Sequence, residues 1–148
     1  MNAAIGRARL RGDRAAGSAA LELVVLAPVL LFLLGLVIAA GRTSIADGSV
    51  AAAARDAARQ ASISLTPAAA QAAAFSSATQ ALSQDGLDCD PVVTVDTTGF
   101  SVPVGEPATV TATVTCQVRL SDLVVPGLPG SKKLTATFTS PLDPYRER

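Results

Sequence analysis

The order of apolar and polar positions divides the chain into stretches of different periodicity. From Leu23 to Ala40, eighteen consecutive residues carry no charge. As a helix rising 1.5 Å per residue they span about 27 Å, close to the hydrocarbon thickness of a bilayer. Pro28 falls inside this run. Proline removes one helical hydrogen bond, which membrane helices tolerate. A buried helix of a soluble protein is the alternative, but no second apolar stretch of matching length is present to cover it. The following residues, 43–64, contain no proline and are dense in alanine, the strongest helix former. One helix is therefore expected from about Ser18 to Ser62. Ile45, Val50, Ala53, Ala54, Ala57 and Ala61 should share one face, with Asp56 and Arg59 opposite and Gly48 as a soft spot.

A second helix is expected in "LTPAAAQAAAFSSATQAL", with Thr66 as N-cap, Pro67 in the first helical position and Gly86 as terminator. Phe75, Ala78 and Leu82 should form its buried face, folded back on the first helix. Beyond Gly86, valine and threonine replace alanine and the period changes to two. "PVVTVDTT", "ATVTATVTCQVRL" and "KKLTATFTS" read as strands, and a fourth short one is expected in "FSVPV". In the middle segment Val110, Ala112, Val114, Cys116 and Val118 alternate with Thr109, Thr111, Thr113 and Thr115. Such alternation predicts an antiparallel sheet with one face packed on helices and one wet. "SDLVVPGLPGS" is a turn-rich connector. The expected class is α+β: a long N-terminal transmembrane helix continuing into a stalk, a second helix, then a small antiparallel sheet. The expected division is a basic leader 1–17, a transmembrane helix 18–42, a helical stalk 43–86, a sheet domain 87–140 and a loosely attached tail 141–148.

Composition limits the core. Hydrophobic residues make up 49% of the chain but aromatics only 3%, so the apolar content is mostly alanine, valine and leucine and buries little area per residue. Formal net charge is zero but unevenly distributed. Residues 1–17 hold Arg7, Arg9, Arg11 and Arg14 against Asp13, and the remainder is acidic by the same amount. A basic segment directly before an apolar run predicts a cytoplasmic N-terminus and a single-pass protein of the cell membrane with its C-terminal part outside. A nucleic-acid-binding arm would need more basic surface and stacking aromatics, so no nucleic-acid partner is expected. The "RGD" at Arg11–Asp13 would lie on the cytoplasmic side and is read as coincidence.

Cys89 and Cys116 both follow the apolar run. In an exported, oxidising compartment such a pair reads as one disulfide, and in a reduced chain as two thiols. Asp85, Asp88 and Asp90 form an acidic loop whose spacing does not match the twelve-residue calcium loop. The chain has no histidine, no clustered cysteines with metal-ligand spacing, no serine with a histidine base and no glycine-rich loop ending in lysine and serine or threonine. A non-enzyme with no cofactor and no metal is expected.

Glu22 interrupts this apolar logic. It stands at the edge of the run, five positions after Gly17, in "GSAALE". As a boundary residue it could reach the headgroups. The order of basic leader, glycine, four small or apolar residues, glutamate and apolar helix resembles the class III signal of type IV pilins and pseudopilins. Arg11 to Arg42, "RGDRAAGSAALELVVLAPVLLFLLGLVIAAGR", is similar to the TadE/TadG-like pseudopilins of tight-adherence (Flp) pilus systems. Pro28 stands earlier than the usual pilin proline, which points away from a classical pilin. The resemblance implies a minor pseudopilin cut between Gly17 and Ser18 by a membrane prepilin peptidase. The new Ser18 amine would then meet Glu22 of a neighbouring helix. It further implies other pilin-like subunits and the Tad secretion machinery as partners. Two other readings use the same residues. One is an uncleaved single-pass anchor displaying an extracytoplasmic binding domain. The other is a secreted domain released near Val37-Ile38-Ala39.

Overall fold

The computed structural model describes residues 13–123 and 129–145, and their side chains except 13–21, 122 and 123. Most of the basic leader, part of the "SDLVVPGLPGS" connector and the last three residues lie outside the described residues. The elements in order are helix α1 (Asp13–Ser62), helix α2 (Pro67–Gln84), strand β1 (Val92–Asp96), a 3-10 turn (Thr98–Ser101), strand β2 (Ala108–Arg119), a short helix α3 (Leu120–Leu123) and strand β3 (Ser131–Leu142). The protein is thus α+β, with a long apolar N-terminal helix, a second helix and a three-stranded antiparallel sheet ordered β1-β2-β3. By compactness it divides after Ile38.

In the first unit α1 presents large apolar side chains on every side. The leucines, valines, isoleucine and phenylalanine between Leu23 and Ile38 are 48–70% exposed. Pro28 sits inside the helix without ending it.

The second unit, from Ala39 onward, is where burial occurs. One cluster unites Ala46, Val50, Ala53, Ala54, Ala57, Ala58 and Ala61 of α1 with Ala70, Ala74, Ala78 and Leu82 of α2 and the inner face of the sheet. The α1 residues recur at three and four positions and those of α2 at four, so each set lies along one helix face. Each alanine methyl contributes only about 0.8 kcal/mol on burial, but its small size lets backbones come close. Two expected core residues lie elsewhere: Ile45 is 69% and Phe75 50% exposed. Ala46 and Ala74, one position away from each, hold the buried faces instead.

The ends of α2 are built as the local chemistry dictates. The Thr66 hydroxyl accepts from the Ala69 N–H at 3.2 Å, with Pro67 at the first helical position. At the other end Gly86 takes φ +71°, its N–H bonds to the Ser83 carbonyl, and the Leu87 N–H reaches the Leu82 carbonyl. This is a Schellman closure, with Leu87 packed against the core it has just left.

On β2 the inward residues Val110, Ala112, Val114, Cys116 and Val118 are all buried, as the alternation requires. The opposite face is a hydroxyl ladder. Thr111, Thr113 and Thr115 bond Thr139, Thr137 and Thr135 across the register at 2.9, 3.0 and 3.1 Å. Around the expected strand "FSVPV" the structure has a 3-10 turn and irregular chain instead. Gly99 is the reason the turn fits: a Cβ there would collide with the Thr109 backbone carbonyl and touch Leu142. β3 continues to Leu142, which is buried among the core residues.

Candidate functional site

The residues singled out for processing lie near the start of α1. Gly17 and Ser18 have helical backbone. Ser18 and Glu22 are four positions apart in the helix, about 6 Å along its axis. Glu22 is exposed and, among the described residues, has no ion-pair partner. Glycine weakens a helix interior by roughly 1 kcal/mol relative to alanine.

Immediately after this turn the helix becomes apolar all round. Such a surface is stable only when covered by protein or by lipid. Within the described residues its 18-residue window is just 6% buried, and it is long and apolar enough to cross a membrane.

The cysteines are brought together in the second unit as a Cys89–Cys116 disulfide. It joins the segment after α2 to the buried face of β2 across 27 residues, a loop for which the chain-entropy estimate is roughly 3–4 kcal/mol. Nearby, Asp88 lies 3.6 Å from Arg119 at the mouth of a cleft of about 390 Å³ that Arg42, Ile45 and Leu87 also line. Both partners are largely exposed, so this pair adds little stability. Among the described residues no group of three or more His, Cys, Asp or Glu could hold a metal ion.

Asp96 accepts from the Thr98 N–H at 3.0 Å, and that backbone bond, with help from the Thr98 side chain, holds its carboxyl below the usual carboxylate range. Two working side chains escaped the sequence reading. Arg55 of α1 stacks on the Phe138 ring at 5.4 Å. Gln71 of α2 donates to the Val93 carbonyl at 2.8 Å and accepts from the Val95 N–H at 3.1 Å. No local pattern marks either, since each partner is distant in sequence.

An exposed apolar N-terminal helix leading into a small disulfide-bonded α+β unit is compatible with a single-pass membrane anchor. Residues 17–59 match the TadE-like protein family, so the resemblance seen around "GSAALE" is borne out over that segment. The matched segment begins at Gly17 and takes in the whole apolar run and most of the alanine-rich part of α1. No curated protein and no solved structure matches the chain.

Proposed function

We propose that the protein is a structural, non-catalytic subunit of a Tad-type pilus or secretion assembly. The TadE-like match over residues 17–59 carries this reading, and the uncovered apolar surface of α1 supports it. In this reading the apolar run is first a membrane anchor and then a packing surface against other pilin-like helices. The arginine-rich leader stays on the cytoplasmic side and the disulfide-bonded unit lies outside. A prepilin peptidase cuts between Gly17 and Ser18. The new ammonium of Ser18 then meets the Glu22 carboxylate of a neighbour. Each charge alone in lipid costs about 3 kcal/mol, and pairing offsets that while setting the axial register of the stack.

Mass spectrometry of the N-terminal peptide from host membranes tests processing, and a start at Ser18 is expected. An intact Met1 or Asn2 end would leave an uncut anchor, and a start near Gly41 would make it a secreted domain. Gly17→Phe should block the cut. Glu22→Ala should leave insertion intact and impair assembly; unchanged piliation in that variant would remove the role given to Glu22.

A further inference from the structure

The cleft bordered by Asp88 and Arg119 is built from three separate stretches of chain. Arg42 and Ile45 come from α1, Leu87 and Asp88 from the segment after α2, and Val118 and Arg119 from the end of β2. All its lining residues belong to the second unit, so its shape follows from that unit alone. At about 390 Å³ it falls within the range of small-molecule clefts, roughly 300–1,000 Å³. Its two arginines outnumber its one acid, and Asp85 and Asp90 do not line it. Arg42 is exposed and, among the described residues, has no ion-pair partner. Asp88 stands 3.6 Å from Arg119, longer than a charge-assisted hydrogen bond, with its side chain 92% exposed. The rest of the lining is largely apolar, and Ile45 stays 69% exposed there.

Chain connectivity places this cleft close to lipid. The uncharged run ends at Ala40, and Arg42 follows two residues later on the same continuous helix. Two residues rise about 3 Å, and five, to Ile45, about 8 Å. The headgroup layer on each side of a bilayer is roughly 5–8 Å thick. With the apolar run in lipid, Arg42 therefore stands among headgroups and Ile45 at their outer limit. This placement depends only on the distance along α1 and not on the direction in which the apolar run leaves the second unit.

We propose that the cleft binds the phosphodiester headgroup of an anionic phospholipid, an inference that rests on the reading of α1 as a membrane anchor. A guanidinium matches phosphate oxygens through two parallel N–H bonds, and Arg42 and Arg119 bring two such forks to one cleft. The surplus positive charge selects an anionic lipid over a zwitterionic one. Ile45 and Leu87 give the glycerol and first acyl carbons an apolar wall, which a free phosphate would leave uncovered. Headgroups tethered in the same bilayer meet the cleft at high effective concentration, an advantage that an acidic segment of a soluble polypeptide lacks.

The test uses the full chain in phosphatidylcholine nanodiscs containing a rising fraction of phosphatidylglycerol. Amide and guanidinium resonances are followed by NMR. Signals of Arg42, Leu87 and Arg119 should shift together and saturate. Arg42→Gln, at an exposed position, should weaken the apparent affinity about tenfold. Lys133→Gln removes an exposed cation of the same unit outside the cleft and should leave the affinity unchanged. Absence of saturable shifts in the unmodified chain would overturn the proposal. So would equal weakening by Arg42→Gln and Lys133→Gln, which would mean diffuse attraction to a charged surface. Inorganic phosphate or hexaglutamate, added to discs of phosphatidylcholine alone, should shift these signals weakly. Saturation by either one, without a response to phosphatidylglycerol, would assign the cleft to a soluble anion or an acidic polypeptide and overturn the lipid. A chain that stays outside the discs overturns the anchor reading and this inference together, whereas one that enters them without responding to phosphatidylglycerol overturns this inference alone.

Discussion

The two halves of α1 are one continuous helix with opposite ways of using apolar residues. Between Leu23 and Ile38 the side chains are large and uncovered on all sides. Between Ala46 and Ala61 they are mostly alanine, and the inward ones are essentially fully buried. Hydrophobicity alone would rank the first half as the core. The comparison shows that burial inside a protein follows from having a partner at the right distance. Large residues without a partner need lipid or other helices, whereas small ones let α2 and the sheet close over them.

The largest separation of the halves should come from a charge in the first. Leu31→Arg should cost about 3 kcal/mol of membrane insertion and leave the melting of the disulfide-bonded unit unchanged. Membrane fractionation and calorimetry of the same variant would read both. Reduction of Cys89–Cys116 should do the converse, lowering the stability of the second unit by roughly 3 kcal/mol while the chain stays in the membrane fraction. Denaturant titration with and without reductant checks this. A smaller and sharper contrast is Ala54→Leu against Leu30→Ala. The first adds volume to a fully buried site and should destabilise by about 2 kcal/mol. The second should leave thermal unfolding of the second unit unchanged.

The smallest effect is a pH dependence confined to the second unit. The folded Asp96 carboxyl lies below its ordinary value, so its contribution is present above the unfolded pKa and is lost as pH falls through the folded one. The difference in Tm between the wild-type chain and Asp96→Ala should therefore be visible at neutral pH, begin to shrink as pH falls past about 4, and vanish only once pH is below the lowered value of the folded carboxyl. A difference that persists there would mean the carboxylate bond to Thr98 is not its source.

Much of this architecture is legible in order and spacing. Thr66, Pro67 and Gly86 bound α2 because capping depends only on neighbours in sequence. The alternation from Val110 to Val118 marks the buried face of β2, because strand side chains point to opposite sides whatever they pack against. The length and lack of charge from Leu23 to Ala40 identify a helix able to cross a bilayer. The motif from Gly17 to Glu22 opens the segment that matches the TadE-like family. The misread faces have a common cause. Hydrophobicity favours Ile45 and Phe75 as core residues, but α1 and α2 pack through their smallest residues, so the large neighbours are turned outward. The expected strand at "FSVPV" gives way to a turn because Gly99 lies against the Thr109 carbonyl, a contact with a residue ten positions away.

Local chemistry written in consecutive residues determined where α2 begins and ends, which stretch is fit for lipid, and which face of β2 is buried. Only the tertiary structure decided that alanines, not isoleucine or phenylalanine, form the helix faces of the core. It alone decided that the Gln71 side chain bonds the backbone of β1 at Val93 and Val95. Those outcomes depend on the separation and register of elements distant in sequence, and periodicity within one element carries no information about how closely another approaches it.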